Sequence, residues 1–347
     1  MRRSLASALL FALCAFLSPP VWAQPLENLA ILGGPEGGTY NSIAGDVSSL
    51  LNARCGKQIK IVPTKGSQDA LKRLRFQQQV QLALVQSDSL FWAEILQDSD
   101  AQMREQVRRF RYVAPLYQEE VHIVTRRDAN IRTLKDLAGK RVSIGEDLSG
   151  TIITAQLILD AAAVKVEPVM LDSATALGRL LGPASPAEKI DAFFFVAGKP
   201  AKLLSQGSRL SELALVPIDI PQSLNQVYKP ATVTFDDYRW LREPVDTVAV
   251  TAVLMTFDFR GASCTDVAVI SKLIRENLDE LQRTGHEKWR EVDIAQSLPG
   301  WQKSECVAER ETLAFLRASD KSCLLDERCL KFPEGTPQRQ LCNRVQK

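Results

Sequence analysis

Histidine is scarce in this chain of 347 residues, which contains only His122 and His286. Neither histidine adjoins a Gly-x-Ser-x-Gly turn, so the residues give little support to a Ser-His-Asp hydrolase. A zinc site is also disfavoured, because both histidines lie far in sequence from the cysteines and no Cys-x2-Cys pair is present. We therefore expect no catalytic residue, no cofactor and no metal.

Net charge is nearly absent as well, since 43 Lys+Arg stand against 41 Asp+Glu. A protein that binds nucleic acid needs a basic face or stripe for the phosphates, so we predict no nucleic-acid partner. Adjacent carboxylates such as Glu119-Glu120 are interpreted as solvated charges that point to opposite faces of a strand. The length is that of about two domains, and the composition is that of an ordinary globular protein.

Long uncharged apolar runs are confined to the N-terminus. Arg2 and Arg3 precede an apolar run over residues 5–17, and residues 21–23 form a small-residue cleavage site before Gln24. Beyond this point no segment reaches the roughly 18 apolar residues that a membrane-spanning helix requires. We predict a signal peptide over residues 1–23 and a mature protein that is exported to the periplasm.

Six cysteines remain after the signal peptide. An even number of cysteines in an exported chain favours disulfides, although the sequence does not choose among the possible pairings. Residues 318–347 hold three of them together with two prolines and little helical periodicity, and we interpret this stretch as a C-terminal extension. The disulfide candidates are Cys55, Cys264, Cys306, Cys323, Cys329 and Cys342.

Short apolar runs alternate with helical patterns along most of the chain, which favours an α/β fold with mainly parallel strands and helices on both faces. The clearest helix follows Cys264, where apolar residues recur at steps of three and four. Two other helices are predicted over residues 39–52 and 150–163. The predicted strands are residues 29–32, 59–63, 82–86, 112–115, 121–125, 141–144, 192–196 and 247–256.

Two glycine-rich turns each lead from a predicted strand into a predicted helix, at residues 33–41 and 145–151. Glycines let the backbone approach a ligand closely, and a helix start presents unpaired N–H groups to an anion. The first turn lacks both the Gly-Lys-Ser/Thr of a Walker A loop and the spacing of a dinucleotide site, so a carboxylate is the favoured anion. A tight turn with a capped helix is the alternative interpretation.

Polar residues also follow two other predicted strands, with Ser67 after one and Gln86, Ser87 and Asp88 after the next. Open α/β sheets bind ligands beyond the carboxyl ends of their strands. These residues are therefore candidates for a ligand cleft, although they fit simple helix caps equally well.

The order of these segments resembles the TAXI family, the extracytoplasmic solute receptors associated with TRAP transporters. The resemblance covers about residues 28–200 and fades in the second half of the chain. The segments that carry it are residues 37–40, 64–67, 82–88, 116–124, 134–145, 149–151 and 191–195.

The resemblance implies a type II-like periplasmic binding protein, with a ligand cleft between two lobes that close on a small solute. Lobe 1 would comprise residues 26–117 plus 246–317, and lobe 2 residues 118–245. The solute would be a small organic acid or amino acid like glutamate or 2-oxoglutarate, which a monomeric receptor delivers to TRAP membrane subunits. The ligand-binding residues implied are Gly38, Thr39, Tyr40, Asn41, Ser67, Gln86, Ser87, Asp88, Ser149, Gly150, Thr151, Phe195, Val196 and Ala197.

Two alternatives stay open at this point. A stand-alone sensor would bind its ligand in the same cleft and present it to a signalling partner, and the absence of neighbouring genes for TRAP membrane subunits would favour it. A secreted hydrolase would use Ser87 or Ser149 as its nucleophile, and its ester or amide hydrolysis would vanish on Ser149→Ala.

Overall fold

The structure is a computed structural model that describes residues 29–307, with five exceptions inside this range. The predicted signal peptide, residues 1–23, and the predicted extension, residues 318–347, lie outside the described residues. The exceptions are Lys57, Gln78, Ala184, Ile220 and Pro221. The cysteine candidates outside the described part are Cys323, Cys329 and Cys342.

Helices and strands alternate as the apolar patterning predicts. The strands are β1 (Ala30–Leu32), β2 (Lys60–Val62), β3 (Leu82–Gln86), β4 (Phe110–Arg126), β5 (Arg141–Ser143), β6 (Glu167–Val169), β7 (Ala192–Ala197), β8 (Leu213–Leu215), β9 (Lys229–Val233) and β10 (Val245–Phe257). The helices are α1 (Thr39–Cys55), α2 (Ser67–Phe76), α3 (Ser87–Leu96), α4 (Ala101–Val107), α5 (Gly150–Ala161), α6 (Ser173–Leu181), α7 (Lys202–Ser205), α8 (Gly261–Glu276) and α9 (Leu278–Thr284). Short 3-10 helices cover Arg127–Ala129, Leu134–Leu137, Leu210–Glu212, Gln222–Leu224 and Glu287–Glu291.

The strands form one mixed sheet in the order β2-β1-β3-β10-β4-β7-β5-β6, with β8 beside β4 and β9 beside β10. The outer strands pair in parallel, β2 and β3 with β1 and also β6 and β7 with β5. The two central strands, β4 and β10, pair antiparallel with their neighbours. The predicted α/β fold class is confirmed.

Two long strands, β4 and β10, join the two ends of this sheet. The last residues of β10 pair with β3, whereas its first residues pair with β9. We call β1–β3 with α1–α4, α8 and α9 the first half, and β5–β9 with α5–α7 the second half. The pairing of β10 with β4 shifts register between Thr251 and Val253 and between Leu254 and Met255, so the irregular part of the ladder lies where the halves meet.

Sequence patterning divided β4 into two strands, residues 112–115 and 121–125, and this division was wrong. The polar residues between them stay in the ladder, where Gln118 pairs with Thr251 and Glu119 with Val250. The strands β6, β8 and β9 were missed, because two of them are only three residues long and β9 is largely exposed.

Helices cover both faces of the sheet in each half. In the first half, α1 and α8 pack on one face around Val47, Leu84 and Ile270, while α2 packs on the other face. In the second half, α5 packs on one face and α6 on the other. Each half therefore has its own buried core, as expected of two lobes, although the predicted lobe limits stay a prediction.

Cys264 of α8 lies beside Cys306, with Cα atoms 5.3 Å apart. This separation is in the ordinary range for a disulfide. The structure thus brings together two of the six cysteine candidates, and a third, Cys55, is the last residue of α1. Disulfide formation itself stays a prediction.

None of the helices within residues 29–307, as far as the structure describes them, is long and apolar enough to span a bilayer.

Candidate ligand-binding site

A cleft of about 400 Å³ lies between the two halves. Its walls are turns that lead from strands into helices, which is where the sequence places the candidate ligand residues. The second half contributes the turn before α5 and the end of β7. The predicted residues that line the cleft are Gly38, Thr39, Tyr40, Ser67, Gln86, Ser149, Gly150, Thr151, Phe195, Val196 and Ala197.

Three predicted ligand residues lie away from the cleft lining that the described residues form. Asn41 is on α1, one residue beyond the lining residue Tyr40. Ser87 turns back to the sheet, where its hydroxyl accepts a hydrogen bond from the Thr251 N–H at 3.1 Å. Asp88 is fully buried between α3 and α5. Successive side chains of a helix point about 100° apart around its axis. Asn41, Ser87 and Asp88 therefore point in other directions than the cleft-lining residues that precede them.

The start of α1 presents backbone N–H groups at the cleft. Gly38 is the N-cap of this 17-residue helix, and no side chain caps it. The preceding turn requires glycine at Gly34 and Gly37, which adopt φ of 68° and 77°. A long helix whose first turn lacks a side-chain cap is a favourable place for an anion.

The start of α5 faces the same cleft from the second half. The Ser149 hydroxyl accepts a hydrogen bond from the Ile152 N–H at 3.3 Å and caps the helix. Gly145 has φ of 104°, and a Cβ there would lie 2.9 Å from Thr151 Cβ. The turn therefore needs glycine both for its backbone conformation and for its close contact with the helix start.

The two halves touch directly beside the cleft. A Cβ on Gly66 would lie 2.9 Å from Ser149 Cα, so the two backbones meet with no room for a side chain. The Gln68 amide donates to the Ser149 carbonyl at 3.1 Å, and the Asp69 N–H donates to the Leu148 carbonyl at 3.1 Å. The structure therefore describes a closed arrangement of the halves.

Glu119 lies in the cleft, and sequence reasoning missed it. The solvated-charge interpretation of Glu119 and Glu120 was wrong, since both are only 3% exposed. The Tyr40 hydroxyl donates a hydrogen bond to Glu119 Oε2 at 2.5 Å. Burial raises the pKa of the Glu119 carboxyl to about 8, so the group is mostly protonated at neutral pH.

A sequence model of the NMT1-like family matches residues 31–300, which includes both helix starts and both long strands. The chain belongs to the NMT1-like family. The match does not name the narrower TAXI group, which stays a prediction.

Several solved structures are similar to this NMT1-like protein. The amino acid ABC transporter substrate-binding protein AbpA of Streptococcus pneumoniae, bound to L-arginine, has 12% identity and a TM-score of 0.44 over 76% of this chain and 94% of that one. The alkanesulfonate-binding protein SsuA of Xanthomonas axonopodis, bound to MOPS, has 15% identity and a TM-score of 0.44 over 84% and 92%. The GluR0 ligand-binding core with L-glutamate has 11% identity and a TM-score of 0.45 over 76% and 97%.

On the other face of β4 in this NMT1-like protein, Glu120 forms a buried ion pair. Lys288 Nζ lies 3.0 Å from Glu120 Oε1, and the Lys288 side chain is 1% exposed. The Lys199 N–H also donates to Glu120 Oε2 at 2.9 Å. These contacts join the 3-10 helix Glu287–Glu291 to β4 and, through Glu120, to the segment after β7, and they account for the burial of Glu120 as a structural charge.

Both nitrogens of His122 have partners in the structure. Its Nε2 lies 3.0 Å from the Tyr238 hydroxyl and its Nδ1 lies 3.3 Å from the Phe195 carbonyl. Burial lowers the pKa of His122 to about 4, so the ring is neutral at neutral pH. His286 lines the cleft, and its Nδ1 accepts a hydrogen bond from the Lys288 N–H at 3.2 Å.

Within the described residues, neither candidate nucleophile bonds to a histidine. The hydroxyls of Ser87 and Ser149 instead accept hydrogen bonds from the backbone N–H groups of Thr251 and Ile152. The same part of the chain contains no group of three His, Cys, Asp or Glu side chains that could hold a metal ion.

Proposed function

We propose that this NMT1-like protein is an extracytoplasmic solute-binding receptor that captures a small organic acid or amino acid by closure of two lobes. The observation that carries the proposal is the meeting of two helix starts at one cleft, one from each half. The residues at these starts, Gly38 to Tyr40 and Ser149 to Thr151, combine backbone N–H groups with hydroxyls. Such groups recognise a carboxylate.

Closure follows from contacts that both halves make to one ligand. A ligand that bridges the turns before α1 and α5 stabilises the closed arrangement over an open one, because only closure provides both sets of contacts. The strands β4 and β10 join the halves, and their register shifts near Thr251 and Leu254 are the natural hinge.

The charged side chains around the cleft are mixed in sign. Lys65 and Lys202 line it together with Glu36, Glu146 and Asp172, and Lys65 lies 3.2 Å from Glu146 in an ion pair. The protonated Glu119 adds no full negative charge at neutral pH. The helix starts therefore supply the main attraction for a carboxylate.

We also propose that the receptor delivers its solute to the membrane subunits of a TRAP-type transporter and has no enzymatic activity. The resemblance to the TAXI family supports the delivery step, and the predicted signal peptide supports a periplasmic location. Genes for TRAP membrane subunits beside the gene for this chain would favour delivery. A signalling gene in their place would favour a stand-alone sensor.

Thermal unfolding of the mature protein with and without candidate solutes tests the proposal. The protein is first unfolded, dialysed and refolded, so that any solute carried through purification is removed. A ligand at 100 times its dissociation constant should raise the free energy of unfolding by about 2.7 kcal/mol. Stabilisation by an amino acid or a small organic acid supports the receptor, whereas hydrolysis of an ester or amide that is lost in Ser149→Ala would contradict it.

A further inference from the structure

Lys288 belongs to the 3-10 helix Glu287–Glu291, and this helix is fixed to the first half. Its Trp289 is fully buried in the core around α1 and α8. The indole Nε1 of Trp289 donates a hydrogen bond to Asp46 Oδ2 of α1 at 2.8 Å, and the His286 N–H donates to the same oxygen at 2.7 Å. The backbone of Lys288 therefore moves with the first half.

Glu120, the partner of Lys288, is fixed to the second half. In the sheet it pairs with Ala197 of β7 on one side and with Ala249 of β10 on the other. Ala249 lies in the part of β10 that also pairs with β9, before the register shifts of this strand. The Lys199 N–H, just after β7, donates to Glu120 Oε2 at 2.9 Å. The ion pair between Lys288 and Glu120 therefore spans the hinge.

The side chain of Lys288 also packs on the segment that follows β7. A Cβ on Gly198 would lie 2.8 Å from Lys288 Cε and 3.0 Å from its Cγ, so the methylene groups lie directly on the glycine backbone. Lys288 Nζ is 3.0 Å from Glu120 Oε1 and 3.1 Å from Oε2. Ala197 and Pro200, on either side of this contact, line the cleft. Lys288 thus holds one wall of the cleft without lining it.

A second carboxylate lies within reach of Lys288 on its own 3-10 helix. Lys288 Nζ is 2.7 Å from Glu291 Oε1, and Glu291 is exposed. This pair does not depend on how the halves are arranged, whereas the pair with Glu120 does. Among the described residues, Lys288 is the only lysine or arginine in an ion pair with Glu120. Opening that separates the two would leave Glu120 as an uncompensated buried charge, which is costly.

We infer that Lys288 is a positioning residue that sets the equilibrium between the open and closed arrangements of the halves. Its ion pair with Glu120 stabilises the closed arrangement, and it does so without touching the solute. A larger closed fraction raises the apparent affinity for any solute that binds the closed arrangement. The inference goes beyond the proposed function, because it concerns the closure of the protein itself and not what the cleft binds.

The backbone amide of Asp69 reports closure directly. It lies in the first turn of α2, where N–H groups have no partner within the helix. It donates instead to the Leu148 carbonyl of the second half at 3.1 Å. Opening breaks this bond, so hydrogen exchange at Asp69 measures how often the halves separate. The amides of β3 pair within the sheet and measure unfolding of the first half.

Hydrogen exchange of the refolded, solute-free mature protein, followed by nuclear magnetic resonance, tests the inference. Lys288→Met removes the charge and keeps an unbranched side chain. We expect the Asp69 amide to exchange at least about tenfold faster in this variant. The matched control is Lys199→Met, which removes an ion pair of 3.0 Å with Asp237 inside the second half. It should leave exchange at Asp69 unchanged.

A double variant separates closure from folding stability. Lys288→Met alone leaves the Glu120 carboxylate buried without a compensating charge, which also destabilises the fold. Lys288→Met with Glu120→Gln removes both charges, and this should return the exchange of the β3 amides to the wild-type rate. Exchange at Asp69 should stay at least about tenfold faster than in wild type, because the contact across the hinge is still missing.

Three results would overturn the inference. The first is an Asp69 amide without protection in wild type, and the second is equal exchange at Asp69 in wild type and Lys288→Met. The third is a wild-type rate at Asp69 in the double variant, since Lys288 would then contribute to folding stability alone. No solute takes part in these measurements, so they stay decisive even if the proposed function fails because no amino acid or organic acid binds.

Discussion

Thr154 donates a hydrogen bond from its hydroxyl to Asp88 Oδ2 at 2.5 Å, and this contact joins the two halves at a fully buried point. Asp88 belongs to the start of α3 in the first half, and Thr154 belongs to α5 in the second. The Tyr228 hydroxyl donates to the same oxygen at 3.0 Å. Because opening would separate these groups, Asp88 stabilises the closed arrangement beside the cleft and contributes no surface to it.

The buried carboxyls predict how stability depends on pH. Burial raises the pKa of Asp88 from 3.8 to about 6 and that of Glu119 from 4.5 to about 8. Between the ordinary and the raised pKa of each group, the native state therefore binds more protons than the unfolded chain. Both groups consequently lower the free energy of unfolding as pH rises. The loss extends from about pH 4 to 6 for Asp88 and from about pH 4.5 to 8 for Glu119.

Urea unfolding of wild type and Asp88→Asn at a series of pH values isolates the first contribution. We expect the free energy of unfolding of wild type, relative to that of Asp88→Asn, to fall by on the order of 2 kcal/mol between pH 4 and 6. The control Asp98→Asn, at an exposed position, should follow wild type. A difference between wild type and Asp88→Asn that stays constant or grows with pH would contradict the assignment.

Gly66→Ala should impair closure. The new Cβ would lie 2.9 Å from Ser149 Cα at a backbone φ of 132°, so the turns must separate. We expect ligand affinity to fall at least about tenfold, with a larger radius of gyration in solution scattering. Gly178→Ala is the matched control, because a Cβ at that helical position meets no atom within 4 Å. Equal affinities in the two variants would show that this contact is not needed for binding.

Thr151→Val should weaken solute binding by about 1–3 kcal/mol, because it removes a hydroxyl at the start of α5 while keeping the side-chain shape. The control Thr175→Val changes an exposed threonine in the first turn of α6, outside the residues found to line the cleft. Titration calorimetry measures both. Unchanged affinity in Thr151→Val would remove this residue from the ligand contacts.

Cys264 and Cys306 are predicted to form a disulfide. The bond would join α8 to the segment after the last 3-10 helix, across 42 residues of sequence, and should contribute about 2–4 kcal/mol to the free energy of unfolding. Replacing both cysteines by serine should lower that free energy accordingly. Alkylation of the unfolded, unreduced mature protein should label neither cysteine, and labelling of either one would contradict the pairing.

Sequence patterning predicts the cleft turns well because their signals are local. Gly37-Gly38 and Gly150 mark strand-to-helix turns by backbone conformation and close approach, and the apolar runs around them fix the neighbouring strands. Parallel strands end at the same edge of a sheet, so the turns after them are expected to present their residues to one cleft.

The buried charges could not be predicted in this way. Glu119 and Glu120 look like solvated residues in sequence, and their burial depends on partners far along the chain, Tyr40 and Lys288. The same limit applies to β4, whose polar central residues interrupt the apolar pattern although they stay paired with β10. A clue was available, since Glu119 and Glu120 lie between two apolar runs that both have strand character.

A structure of the mature protein with a bound amino acid or organic acid would show directly whether the two helix starts bind the carboxylate of the solute. We expect a carboxylate between the starts of α1 and α5, with oxygens within hydrogen-bond distance of N–H groups at residues 39–41 and 150–151. A solute bound elsewhere, or one whose carboxylate faces away from both helix starts, would contradict it.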